Sequence, residues 1–257
     1  MPAYGISRGQ DIFYLVHRRK KNAVSQRSDC RNGADMYEQL KNKTLFNLDE
    51  TIAKDIFRDV TFPWEVLPLI KDFILELGAS LTEGEYEHPA ENVWIAKSAS
   101  IAPTAAINGS CIIGRNTEVR PGAFIRGNAI VGENCVVGNS TELKNVILFN
   151  NVQVPHYNYV GDSILGYKSH MGAGSITSNV KSDKTKIAIR YEGDVIETGL
   201  KKMGAILGNY VEIGCNSVLN PGSIVGSNTN VYPLSMVRGF IPKGSIYKRQ
   251  GEVVPKN

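Results

Sequence analysis

The sequence predicts an all-β protein, a left-handed parallel β-helix of hexapeptide repeats preceded by a short helical N-terminal segment. Three observations carry that expectation. From residue 95 an aliphatic side chain returns at every sixth position: Ile95, Ile101, Ile107, Ile113, Val119, Ile125, Val131, Val137 and Leu143. The fourth place after each is mostly small, as at Ala99, Ala105, Cys111, Thr117, Ala123, Ala129, Cys135 and Thr141. The third place is often Asn or Gly, as at Asn116, Gly122, Asn128 and Asn134, the residues that most readily accept positive φ. The pattern returns at Leu207, Ile213, Leu219, Val225, Val231 and Val237.

A six-residue period is neither helical nor strictly alternating. It suits one flat side of a solenoid, where a short strand is followed by a corner and three units close a triangular coil. The aliphatic residue points inward and stacks on its equivalent in the next coil. The small residue fits the tight space beside the corner.

Residues 1–40 lack sustained periodicity and read as a loosely ordered leader. Residues 41–90 form a helical segment. Ile52, Ile56, Phe57 and Val60 share one face of a first helix, with Asn47 or Asp49 as its cap. A second helix carries Leu67, Ile70, Phe73, Ile74 and Leu77, with Thr61 placed to cap it, Pro63 in the first turn and Gly78 to close it. The solenoid occupies residues 91–250 and a tail residues 251–257. Two stretches interrupt the prism. Around residues 149–164 the phase slips, with Phe149 and Pro155 where aliphatics are due, which suggests a segment ejected as a loop that holds His156. Residues 181–202 read as a projecting hairpin turning at Glu192, Gly193 and Asp194.

Composition narrows the function classes. The chain has 257 residues, 42% of them hydrophobic, and a net charge of +4. That charge is too small to argue for nucleic acid but suits a binder of phosphorylated small molecules. The basic run Arg18–Lys21 reads as a solvated tail. There is no apolar run long enough for a membrane span, and the apolar patch near the start precedes its basic cluster, the reverse of a signal peptide. Four scattered cysteines agree with a reducing compartment. A cytoplasmic protein is expected.

A prism of aliphatics offers little chemistry, so the candidate site falls on the residues that break the pattern. Histidine ordinarily titrates near pH ~6.5 and can take a proton at neutral pH, which makes His156, beside Tyr157 and Tyr159, a candidate base. Arg120 and Lys144 each follow an inward aliphatic and together suggest a phosphate-binding edge. A three-histidine metal site is disfavoured, because the coil contains only His156 and His170. Cys111 and Cys135 occupy small inward places. "GISRGQ", residues 5–10, is too short for a phosphate-cradling loop.

The blocks "VRPGAFI", "GNSTELKN", "PHYNYVGDS", "MGAGSITSN" and "VEIGCNSV" resemble the C-terminal acetyltransferase half of bifunctional N-acetylglucosamine-1-phosphate uridyltransferase/glucosamine-1-phosphate acetyltransferases over residues 95–250. The hairpin and "TGLKKMGAILG" are similar to the β-helical tail of sugar-1-phosphate nucleotidylyltransferases. The resemblance implies acetyl-CoA as donor with no metal required, an aminosugar 1-phosphate as acceptor, and a homotrimer with sites between subunits. It implies His156 as general base, with Arg120, Lys144 and Tyr159 on the sugar phosphate. It places Ala173, Asn179 and Cys215 in the acetyl-CoA groove and Arg249 near the coenzyme phosphates. His170 stands where the family usually has Asn in the sugar pocket, and Cys215 where it usually has Ser. Two other classes stay open: a non-catalytic trimeric scaffold or regulatory subunit of a sugar nucleotidylyltransferase, and a metalloenzyme like the γ-carbonic anhydrases.

Overall fold

The computed structural model describes residues 37–256; most of the expected leader lies outside them. From Val93 onward the chain winds into the expected parallel β-helix with three faces. The first face stacks, coil upon coil, the strands Val93–Ala96, Cys111–Ile113 and Ala129–Val131, then the ends of Glu142–Leu148 and Tyr159–Leu165, then Ala205–Leu207, Ser223–Val225 and Phe240–Ile241. The second face runs from Ser100–Ile101 through Val136–Asn139, Gln153–His156 and His170–Met171 to Ser245–Arg249. The third runs from Ala106–Ile107 to Met236–Val237 and includes the starts of Glu142–Leu148 and Tyr159–Leu165. The aliphatic columns fill the interior: Val119, Ile125, Val131, Val137 and Leu143 are all buried, as are Leu207, Leu219, Val225 and Val237.

The phase slip has a different cause from the one expected. No loop is ejected around His156. The inward rung passes from Leu143 to Leu148 and again from Val160 to Leu165, five residues instead of six, so adjacent coils shorten by one residue each. Leu148, Val154, Val160 and Leu165 are the inward residues and all are buried. Phe149 points elsewhere: it packs with Phe46 and Phe57, ring centroids 4.9 and 5.9 Å away. His156 therefore ends a strand of the second face, paired with Asn139 of the coil before. Both shortenings fall at the corner between the third and first faces. The hairpin leaves from that same corner, between Thr177 and Ala205. Its strands Ala188–Tyr191 and Asp194–Glu197 turn at Glu192 and Gly193, both at positive φ, the backbone of a two-residue hairpin turn. The expected tail includes a strand, Glu252–Pro255, paired antiparallel with Ser245–Arg249.

The helical segment is more irregular than expected. The expected first helix is two short 3-10 turns, Leu48–Glu50 and Lys54–Phe57, preceded by a four-residue helix α1 (Asn42–Leu45). Asn47 does cap: its Oδ1 accepts from Asp49 N–H at 3.3 Å. A 3-10 turn, Pro63–Leu69, then leads into α2 (Ile70–Ser80). Thr61 is not the cap of this turn. Glu65 reaches back instead, accepting from the backbone N–H groups of Thr61 and Phe62 at 2.9 and 2.7 Å. The segment lies along the first face. There Ile112, Ile130, Ile147, Ile164, Ile206 and Ile224 point away from the prism, between inward neighbours, yet none is exposed. Helix α2 and the turn before it pack across the upper of these strands.

Gly78 does not close α2, which continues to Ser80. It is buried, and a Cβ there would meet the Trp94 ring at 2.5 Å. Trp94 lies against that spot and stacks on His88. Although Gly within a helix costs about 1 kcal/mol relative to Ala, Gly78→Ala is expected to destabilise by about 1–3 kcal/mol through overpacking, read as a lower denaturant midpoint with an unchanged slope.

Candidate active site

His156 sits at the corner between the second and third faces. Its backbone is fixed from both sides. The N–H donates to Asn158 Oδ1 at 3.1 Å, and the carbonyl accepts from Gly174 N–H at 3.0 Å. Asn158 is itself locked, since its buried amide donates to the carbonyls of Gly172 and Ser175 at 2.9 and 3.1 Å. The imidazole is exposed and has no hydrogen bond or ion pair among the described residues. Tyr157 takes the next place at φ 51°. Gly122, Ser140 and Gly174 take positive φ near the same edge in other coils. A tyrosine in this left-handed conformation costs about 1–2 kcal/mol, the kind of strain that collects at functional sites.

Below His156 the corner continues coil by coil through Ala173 and Cys215, where Asn216 N–H donates to Ala173 O at 2.8 Å. Cys215 is exposed, whereas Cys111 and Cys135 are buried and burial pushes both thiols up to about 12. Iodoacetamide on the native protein is therefore expected to label Cys215 and to spare Cys111 and Cys135 until denaturant is added, as peptide mass mapping would show. Labelling of either buried cysteine in the native fold would contradict this.

A second group occupies the shortened corner. Asp162, almost fully buried, accepts from Lys144 Nζ at 3.0 and 3.1 Å, from Asn145 Nδ2 at 3.0 Å and from Asn179 Nδ2 at 2.5 Å. Asn179 Nδ2 also lies 3.2 Å from the Tyr159 hydroxyl. Burial raises the Tyr159 pKa, and the nearby Asp162 and Glu142 charges raise it further, so the phenol stays a proton donor above its usual range. Gly161 allows this arrangement, because a Cβ there would meet the Tyr159 hydroxyl at 2.5 Å.

The structure thus brings Lys144, Tyr159 and Asn179 together and places His156 with Ala173 and Cys215 at a different corner of the same coils. Arg120 stands apart on the second face, paired with Glu118 at 3.1 Å. The arginine one coil above Lys144 is Arg126, held by Glu142 at 2.9 Å. It stands eighteen positions before Lys144, a spacing that could have marked it in the sequence. Asp162, the hub of the group, was also missed there. His170 lies on the second face, its Nδ1 2.8 Å from Glu212 Oε2, beside a cavity of about 300 Å³ lined also by Gln153 and Lys168. Arg249 pairs with Glu252 at 2.8 Å near the end of the solenoid. Among the described residues no group of three or more His, Cys, Asp or Glu side chains could hold a metal ion, and no helix is long and apolar enough to cross a membrane.

A six-residue period wound into a three-faced coil defines a hexapeptide-repeat β-solenoid. Within that class the likeness is to acetyltransferases joined to sugar-1-phosphate nucleotidylyltransferases. Residues 107–228 match the model of the GMPPB C-terminal domain. A protein of Methanococcus maripaludis named bifunctional protein GlmU is 31% identical over 238 residues, 91% of this chain and 57% of that one. A bifunctional sugar-1-phosphate nucleotidylyltransferase/acetyltransferase of Sulfurisphaera tokodaii is 28% identical over 202 residues, 74% of this chain and 48% of that one. The chain spans about half the length of these relatives. A hexapeptide transferase family protein of Anaplasma phagocytophilum overlays with a TM-score of 0.37 and 17% identity, covering 64% of this chain and 79% of that one.

Proposed function

We propose that the chain is an acetyl-CoA-dependent N-acetyltransferase acting on an aminosugar 1-phosphate in nucleotide-sugar synthesis, working in the cytoplasm. The observation that carries this reading is the His156 imidazole, exposed and without a hydrogen bond or ion pair among the described residues, on a backbone pinned at both its N–H and its carbonyl. A base held in this way suits removal of a proton from a substrate amine. The name of the Sulfurisphaera tokodaii relative, which joins an acetyltransferase to a sugar-1-phosphate nucleotidylyltransferase, supports the substrate class.

In the proposed reaction the amine attacks the thioester carbonyl. The N–C bond forms, the C–S bond breaks, and the amine proton passes to His156 and on to the departing coenzyme A thiolate. A backbone N–H of the Gly172–Ser175 turn would face the oxygen that gains charge. Lys144 and Arg126 supply charge for the sugar phosphate, Tyr159 donates to it, and Ala173 and Cys215 line the path of the donor. Asn179 lies with Lys144, Tyr159 and Asp162 and not at the Ala173–Cys215 corner, so its proposed role moves from the donor to the acceptor. Because the two groups occupy different corners of one protomer, we assign the complete site to a groove between subunits of a homotrimer. The test is coenzyme A release from acetyl-CoA with glucosamine 1-phosphate and related aminosugar phosphates, alongside sedimentation. A trimer that releases thiol with one of them is expected; a protein inert with the whole panel would refute the reading.

A further inference from the structure

Seven arginines fall among the described residues. Five are ion-paired: Arg58 with Asp55, Arg115 with Glu85 and Glu133, Arg120 with Glu118, Arg126 with Glu142 and Arg249 with Glu252. The two with no ion pair among the described residues, Arg190 and Arg238, line the same cleft. Arg190 comes from the hairpin. Arg238 comes from the solenoid, directly after the inward Val237, the place that Arg126 and Lys144 take in coils above. The cleft between them has a volume of about 390 Å³, the size of a small-molecule site.

The hairpin is seated against the coils. A Cβ on Gly222 would meet Ile187 Cγ2 at 2.7 Å, and the Tyr191 and Phe240 rings lie 5.1 Å apart. The two guanidinium groups therefore belong to a preformed cleft. The other charged groups on its wall do not neutralise them. Asp183 accepts from Thr185 N–H and hydroxyl at 2.9 and 2.7 Å, and Lys181 Nζ turns to Thr185 Oγ1 and Lys186 O at 2.8 and 3.1 Å. Like charges left facing one space repel, and a bridging anion converts that repulsion into two sets of charge-assisted hydrogen bonds. Planar guanidinium forks suit phosphate oxygens.

We propose that Arg190 and Arg238 form a binding site for the diphosphate group of a nucleotide, in the cleft between the hairpin and the last coils. The proposal does not depend on His156 or on acyl transfer. A diphosphate is carried both by coenzyme A and by nucleoside diphosphates, and the experiment separates the two.

Calorimetric titration of the full chain with inorganic pyrophosphate at low salt is expected to show saturable binding that weakens as salt is raised. Arg190→Ala and Arg238→Ala are each expected to weaken it about tenfold, and the double variant further. Arg58→Ala, on the N-terminal segment, is expected to leave it unchanged. Both cleft arginines are exposed, and circular dichroism checks that the variants fold; the milder Arg190→Gln and Arg238→Gln serve if they do not. Displacement of pyrophosphate by coenzyme A would support the proposal with the acyl donor as source. Displacement by uridine diphosphate would support it with a nucleotide sugar as source. Wild-type protein that takes up no pyrophosphate at millimolar concentration, variants that bind as the wild type does, or displacement by neither nucleotide would overturn it.

Discussion

His156→Ala is expected to lower turnover by about 10²- to 10⁴-fold, the range that a positioned base contributes, and to leave the fold intact. The two halves of this expectation rest on different atoms. The chemistry rests on the imidazole, which has no partner among the described residues. The local structure rests on backbone groups that survive the substitution: the N–H held by Asn158 and the carbonyl held by Gly174. Removal of an exposed, unbonded side chain usually changes stability by no more than about 0.5 kcal/mol. Steady-state thiol release and a denaturation curve, measured on the same preparation, separate the two. Loss of rate together with loss of stability would make His156 a structural residue, and an unchanged rate would remove it from the mechanism.

Asp162→Ala is expected to act in the opposite way, through stability first. Its carboxylate is only 6% exposed and collects an ammonium and two amides. Deleting it strands those donors in a corner with little access to water. Breaking a buried charge pair costs about 3–5 kcal/mol. Lys144 retains 25% exposure, so about 2–4 kcal/mol is expected, measured as a lower urea midpoint. Asp162→Asn separates charge from shape. Asn tolerates the φ of 48° that the corner requires, but it presents an amide donor to two other amides and leaves Lys144 without a counter-ion. It should keep the winding of the coil while raising the KM for the phosphorylated acceptor. A midpoint for Asp162→Ala within about 0.5 kcal/mol of the wild type would show that the group contributes little to the fold.

The three-faced coil was legible because its physical requirement repeats. Each inward place must be aliphatic, and Ile113, Val119, Ile125 and their equivalents satisfy that in phase. Counting in strict sixes failed where the coil shortens. Phe149 and Pro155 take the counted places, while Leu148, Val154 and Val160 fill the interior one residue early and Leu165 two residues early. A five-residue step costs the core nothing, so the pattern alone could not distinguish it from an ejected loop. His156 and Tyr159 were legible as candidate residues in the block "PHYNYVGDS", and Lys144 in "GNSTELKN". Asp162 was not, because at a corner an aspartate reads as a turn residue until its partners from other coils are known. The apolar stripes of residues 40–80 marked a structural cap but not the face it covers, although that signal was present. In one repeat of every three the inward residue is preceded by a second aliphatic, as in "CIIG", "SILG" and "SIVG". That extra residue marks a wall that needs a cover.

The two trimmed steps, the hairpin and the short passage from Val237 to Ile241 all fall at one edge of the prism. That edge works as an expansion joint. Chain length can be gained or lost there while the other two edges keep their spacing, so new loops can be grafted or trimmed without unwinding the spool. Variation in what the molecule recognises can therefore accumulate along a single seam, and the load-carrying stack beside it need not be rebuilt each time.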